Sequence, residues 1–262
     1  MEGYILLNIT DKSLVSDYSQ GQHSFKNVKL KGEEFQNLVE ELIEILPNYY
    51  IEPLSMASTL ERLGKPAAAA KLRLKLPEVT KIRSGDVGEI ITTDYIDEQT
   101  VFSVPIKKLR WKDHRNMAMR GDDVIGVLIN QENQTIKFLK AEAKSNQSLS
   151  RNVLIKARDE LDLDEGLPAP HALAFVAERL RETGSQAVAD LIEKAQLVDG
   201  IGNNQVEHLL FTFTASNPET LQKEAFEGYN GNIKQSSVGF QVSNHQEIIA
   251  SVYQGVLDGL DD

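Results

Sequence analysis

Three residues near the middle of the chain, Asp123, Glu142 and Lys144, could do metal and acid–base chemistry together. They bracket two apolar runs, residues 124–129 and 136–143, separated by the polar stretch Gln131-Glu132-Asn133-Gln134. Runs that short, rich in β-branched and large apolar residues, predict two strands joined by a turn. Pairing Gln131 with Gln134 across the turn sets Asp123 opposite Glu142. Directly opposed residues of an antiparallel pair bring their Cβ atoms to about 5 Å. Two carboxylates that close can share one hard cation through oxygen ligands at roughly 2.1 Å. Side chains alternate faces along a strand, so Lys144 leaves on the face of Glu142 and reaches a water that such a cation would activate. Asp122 competes for the ligand role, but this register turns it to the opposite face, which favours Asp123.

The competing reading is an exposed cross-strand salt bridge, which is common and worth little. Against it stands the composition of the second strand. Ile136 and Phe138 share the face of Glu142, while Leu139, Ala141 and Ala143 fill the other. A strand apolar on both faces is central and buried, and charges at its end cost free energy unless paired or metal-bound.

The elements around this hairpin must position it. Residues 86–97 predict a helix that buries Val87, Ile90, Ile91 and Tyr95. Glu89 falls on this helix, three residues after Asp86, a spacing that also makes an N-terminal capping pair. Residues 101–106 predict a short strand, interrupted late by Pro105, as tolerated at a sheet edge. After Ser145 a polar loop leads into a helix over residues 149–162, with Arg151, Lys156 and Arg158 on its first turns.

The stretches SGDVGEI (84–90), GDDVIGV (121–127) and AEAKS (141–145), in the order helix, strand, Asp-led strand, ExK strand, helix, resemble the HamA family, the nuclease-like component of the Hachiman anti-phage defence system, within the PD-(D/E)xK phosphodiesterase superfamily. The likeness is carried best by residues 82–165. It implies an α/β fold, a restriction-endonuclease-like mixed sheet flanked by helices, with an N-terminal α+β accessory layer over residues 1–80 and the nuclease-like domain over 81–262. The activity implied is metal-dependent hydrolysis of nucleic-acid phosphodiesters, DNA before RNA. Asp123, Glu142, the Ala143 carbonyl and Glu89 would hold Mg²⁺ or Mn²⁺, and Lys144 would orient the nucleophile. A helicase subunit, HamB, is the implied partner. The alternative is a non-catalytic, nuclease-like adaptor that regulates or loads that helicase.

A formal net charge of −11 argues against coating nucleic acid by bulk charge, so any such contact needs a local basic patch. The best candidate is KKLRWKDHRNMAMR, where Lys107, Lys108, Arg110, Lys112, Arg115 and Arg120 face a single acid, Asp113. With Arg151 and Lys156 it forms the expected phosphate-contacting surface; a solvated loop is the other reading. Trp111, the sole tryptophan, reads first as a packing anchor and second as a ring on which a base could stack.

The rest of the chain reads as scaffold. Strands are expected over residues 4–9, 25–30, 206–214 and 236–242. Helices are expected from Phe35 to Pro47, over 55–74 with a restart at Pro66, and over 168–183, 185–197, 218–228 and 246–260. A chain without cysteine has neither disulfides nor thiolate metal sites. The five histidines lack metal-type spacing, and neither Gly200-Ile201-Gly202 nor Gly64-Lys65-Pro66 meets the pattern of a nucleotide-binding loop. The opening MEGYILLNIT has no basic-then-apolar signal, and no apolar run approaches a membrane span, so a cytoplasmic protein is expected.

Overall fold

The structure, a computed structural model, describes residues 6–261. The hairpin expected at the centre is present as β3 (Val124–Asn130) and β4 (Thr135–Asn146), paired antiparallel with Val124 opposite Ala141 and Asn130 opposite Thr135. This is the register that the turn at Gln131–Gln134 requires. Strand β4 also pairs in parallel with β5 (Val206–Thr214), and β5 with β6 (Lys234–Gln241). On the far side of β6 lies a hairpin of β1 (Ser13–Gln20) and β2 (His23–Leu30), joined through parallel β2–β6 pairing. The result is one six-stranded mixed sheet, β1-β2-β6-β5-β4-β3, flanked by helices.

Helix α1 (Phe35–Tyr50) is followed by α2 (Pro53–Leu63), α3 (Lys65–Lys75) and α4 (Thr80–Gln99). Beyond β4 come α5 (Arg151–Asp162), α6 (Pro170–Glu182) and α7 (Gln186–Lys194); α8 (Glu219–Glu227) links β5 to β6, and α9 (His245–Asp258) ends the fold. Both faces of β4 are buried, as its composition requires. Leu139 and Ala141 join a core with Ile90 and Ile91 of α4, Leu42 of α1 and Val252 of α9. Ile136 and Phe138 join a second core with Leu173 and Val176 of α6 and Ile192 of α7. At roughly 25 cal/mol per Å² of apolar surface removed from water, these two cores hold the sheet between its helical layers.

Several elements differ from expectation for identifiable reasons. The strand expected over residues 4–9 begins outside the described residues, and Leu6 to Asn8 are irregular. Leu7 and Ile9 are buried, and the Leu7 and Asn8 amides donate to Asp94 Oδ2 (2.8 Å) and Glu98 Oε1 (2.7 Å) rather than to a neighbouring strand. The strand that is present, β1, reads as polar because it is the sheet edge and exposes most of its side chains. Pro47 does not end α1. It lies in the last turn and forgoes the hydrogen bond its N–H would make to the Ile43 carbonyl, and burial of Leu46, Tyr49 and Tyr50 carries the helix past it. The strand expected over 101–106 reduces to a single bridge, Ser103 to Val127, although Phe102, Val104 and Ile106 are buried. There Pro105 lacks a donor, and side chains take the neighbouring amides: Asp97 Oδ1 accepts from Val104 (2.7 Å) and Thr100 Oγ1 from Phe102 (3.1 Å).

Helix α4 starts six residues before Asp86, so Asp86 is a buried mid-helix residue and the Asp86–Glu89 capping pair is not formed. Residue 81 lies in the first turn of α4, and the expected accessory layer over residues 1–80 shares the sheet with the remainder through β2 and β6. Among the described residues no helix is long and apolar enough to cross a membrane.

Candidate active site

The site forms where β3 ends before β4 does. Strand β3 pairs as far as Val124–Ala141, but β4 runs on to Asn146 with only β5 beside it. That leaves the β3 side of residues 142–146 open. Asp123 stands at the gap, and its Oδ2 accepts a hydrogen bond from the Ala143 amide (3.0 Å). Helix α4 crosses the same part of β4 closely enough that a Cβ on Gly88 would lie 3.0 Å from Ser145 Cβ. A Cβ there would push Ser145 back by a few tenths of an ångström, so glycine favours the approach, and it brings Glu89 against the end of the hairpin.

Four expected residues therefore meet: Glu89 from α4, Asp123 from the start of the hairpin, and Glu142 and Lys144 from β4. Lys144 Nζ donates to Glu142 Oε1. Burial pushes the Glu142 carboxyl well above the usual range, and the charge of Asp123 pushes it further, against the opposing pull of Lys144. Glu89 is raised by burial first, with Asp123 and Asp86 adding repulsion and Lys108 opposing it. Glu89 Oε2 is buried without a hydrogen-bond partner; the Lys108 ammonium lies 3.5 Å from it, an ion pair outside hydrogen-bond alignment. Lys108 also donates to the Asp122 carbonyl (2.9 Å).

Asp122 belongs to another set, though not on the side that the register predicts: pairing stops at Val124, and Asp122 reaches Lys140, which leaves β4 on the face of Glu142. Its Oδ2 accepts from the Ala169 amide (2.8 Å), and Oδ1 lies 3.5 Å from the buried Lys140 ammonium. Lys140 in turn donates to the Leu163 and Leu167 carbonyls (2.8 and 3.0 Å), tying β4 to the turn before α6.

The donors at the site are hard oxygens, the class taken by cations such as Mg²⁺ or Mn²⁺. Crowded, desolvated carboxylates and an orphaned Glu89 oxygen are what a divalent cation would satisfy, so the donor chemistry fits one. As the side chains stand, no three histidine or carboxylate groups among the described residues converge on one ion position. Glu142 is held instead by Lys144.

A cleft of about 810 Å³ opens over the site, lined by Glu89, Asp123, Lys144, Gln147, Lys81 and Lys156. Lys81 and Lys156 are exposed and form no ion pair among the described residues. Arg151 is exposed but paired with Glu224 (2.6 Å).

Of the other expected phosphate-contacting residues, Arg120 is exposed and Arg115 pairs with Glu78, but Lys107, Lys108, Arg110 and Lys112 do not form a surface, and this is a correction. Lys112 is buried, its Nζ donating to both Asp86 oxygens (2.7 and 2.8 Å). Asp86 also accepts from Tyr50 Oη (2.5 Å), and Tyr50 shares a further hydrogen bond with Tyr253 (2.7 Å). Lys108 turns into the carboxylate cluster. Lys107 lies over the Tyr49 ring (4.1 Å), and burial lowers its pKa to about 8. Arg110 Nε donates to the Asn48 carbonyl (2.9 Å). The physical reason is the carboxylates of α4: buried Asp86 and Glu89 draw in two lysines with matching spacing. Asp86 and Glu89 one helical turn apart, facing Lys108 and Lys112 four apart, was the sequence signal for it. Two histidines are also interior. His245 Nε2 is 2.9 Å from Ser145 Oγ, His208 Nε2 is 2.7 Å from the Gly166 carbonyl, and burial lowers both pKa values to about 4.

The family model for HamA matches residues 5–256. The Hachiman protein HamA of Bacillus cereus is 29% identical over 116 residues, which is 44% of this chain and 40% of that protein. The matched region thus spans less than half of that relative.

Proposed function

The chain belongs to the HamA family, and on that footing we propose that it is a metal-dependent nuclease that hydrolyses phosphodiester bonds of DNA, acting in a Hachiman antiviral defence complex with a helicase partner, HamB. The observation that carries the reading is the meeting of Glu89, Asp123, Glu142 and Lys144 at the open edge of β4. Glu89, Asp123, Glu142 and the Ala143 carbonyl would hold Mg²⁺ or Mn²⁺. Such an ion, when bound, supplies Lewis-acid stabilisation of phosphoryl charge and lowers the pKa of water.

The chain's own groups do the rest. Asp123 is fixed by the Ala143 amide, so its second oxygen stays directed by the strand end. Lys144 places an ammonium beside Glu142, where it can hydrogen-bond an attacking water and offset charge building on the phosphoryl oxygens. Lys108 offsets the repulsion among the carboxylates from behind. Lys81 and Lys156 on the cleft rim give a phosphate backbone a local attraction that the acidic chain as a whole does not.

The second reading is a non-catalytic adaptor that loads or regulates the helicase. It is favoured by one observation, that among the described residues three ligands do not converge as the side chains stand. Cleavage assays with Mg²⁺, on single- and double-stranded DNA and on RNA, with and without the helicase, separate the two. Lys144-dependent product supports the nuclease. Helicase binding with no cleavage of any substrate under any condition supports the adaptor.

A further inference from the structure

A second cleft, of about 770 Å³, meets the first at the carboxylates: Glu89, Ala118 and Asp123 line both. Its chemistry differs. Basic residues line both, but the second is also walled by Trp111 and Phe175, with Met117, His171 and Arg179 around them. We infer that this cleft receives an unpaired nucleobase of a single-stranded nucleic acid whose backbone runs past Asp123.

The argument is geometric. Trp111 and Phe175 are both half-buried, and their rings meet edge to face, with centroids 6.1 Å apart and planes at 87°. Two rings at a right angle make a corner in which a flat heterocycle stacks on one face while its edge meets the other ring. The Arg179 guanidinium lies 5.9 Å from the Trp111 centroid and 5.5 Å from that of Phe175. Its Nε is buried and has no hydrogen-bond partner. Buried donors are seldom left unsatisfied; the Nη atoms are held by Glu182 (2.8 Å) and Glu178 (3.3 Å), and a ring carbonyl of a base in the corner would accept from Nε once the side chain turns toward the cleft. Arg120, exposed and lining the same cleft, has no partner among the described residues and supplies charge for the adjoining phosphate.

The volume lies within the range of a small-molecule site and suits one nucleotide. A base inside a duplex is covered by its neighbours on both faces and cannot enter such a corner without being extruded. The occupant is therefore unpaired, and the cleft selects single-stranded substrate or a strand end. The inference rests on the nucleic-acid reading of the first cleft, but not on hydrolysis there.

Trp111 is the only tryptophan, so its emission reports on this corner alone. The test is a titration of the full chain in EDTA, which prevents cleavage, with a short oligodeoxythymidylate, an abasic oligomer of equal length and a blunt duplex. Binding is followed in parallel by anisotropy of labelled strands. The single strand should quench Trp111 saturably, and its affinity should exceed that of the abasic strand by at least about fivefold, the low end of what one stacked base contributes. Arg179→Lys keeps the charge but removes Nε, and should narrow that margin; Phe175→Leu keeps apolar volume, removes the ring and should do the same. Equal quenching by the abasic strand, or single-strand binding without quenching, overturns the inference. Quenching without Mg²⁺-dependent cleavage would leave the base site standing and remove the nuclease. Cleavage without quenching would do the reverse.

Discussion

Replacing Lys112 by methionine should unfold the protein more readily and leave nucleic-acid contacts to other residues. Lys112 and Asp86 side chains are 3% and 4% exposed, and the lysine bonds both carboxylate oxygens. Removing it strands a buried carboxylate with Tyr50 Oη as its remaining hydrogen-bond donor. Breaking a buried pair from one side costs about 3–5 kcal/mol. There is a ceiling, because Asp86 can escape by taking a proton. Protonating a carboxyl of ordinary pKa about 3.9 at pH 7 costs roughly 1.36 kcal/mol for each of about three units, or ~4 kcal/mol. The expected loss is therefore about 3–4 kcal/mol at pH 7, or roughly 6–16 °C in melting temperature for a domain of this size.

The sign with pH follows from the same ceiling. In Lys112→Met the folded-state pKa of Asp86 rises far above its unfolded value, so the penalty shrinks as pH falls from 7 toward 4. Asp86→Asn in the Lys112→Met background should recover much of the loss, because the double variant buries no charge. Chemical denaturation at pH 7 and pH 5 across the four proteins of this cycle measures it. A loss under about 1 kcal/mol, joined to weaker nucleic-acid binding, would return Lys112 to the surface and refute the reasoning.

Asp94 is pushed up to about 8 by burial, then by the hydrogen bond and charge of Glu98. A folded pKa above the unfolded one means stability that is full below about pH 4 and is lost as pH rises to about 8, so Asp94→Asn should flatten stability across that window in a denaturation series. Gly88→Ala should cost about 1–3 kcal/mol and lower any cleavage rate, since its Cβ would press on Ser145 Cβ at 3.0 Å and lift Glu89 from the site; wild-type stability and rate together would count against that packing. Lys81→Glu with Lys156→Glu should weaken nucleic-acid binding and flatten its salt dependence, whereas Arg151→Glu, already paired with Glu224, should do less. Filter binding at several salt concentrations distinguishes them.

The hairpin was legible because its information is local. A four-residue polar turn fixed the register of β3 on β4 and set Asp123 beside Ala143 and Glu142; it did not foretell Asp122, which lies beyond the last pair of the ladder and meets Lys140, on the face of Glu142, and Ala169. Strands β5 and β6 and helices α5 to α9 were readable for the same reason: each carries its own apolar period. What was not legible depends on partners distant in sequence. The fate of Lys108 and Lys112 is decided by Asp86 and Glu89, about twenty residues earlier on another element, so a run of cations read as a surface. Strand β1 could not be seen because an edge strand needs few apolar residues, and the apolar residues 7 and 9 nearby are buried without any strand. Residues 101–106 alternate like a strand, yet local side chains outcompete the ladder for their amides.

The most direct test of the account pairs two measurements on wild type, Glu142→Ala and Lys144→Ala: the cleavage rate with Mg²⁺, and the melting temperature with and without it. Wild type should cut and should melt higher with Mg²⁺, because the folded state alone binds the ion. Glu142→Ala should lose both effects, and Lys144→Ala should keep most of the thermal shift while losing the rate. Without metal, Glu142→Ala should be as stable as wild type or more so, since it relieves the repulsion with Asp123. Cleavage by Glu142→Ala at the wild-type rate, or an unchanged Mg²⁺ shift in that variant, would contradict the assignment of the site.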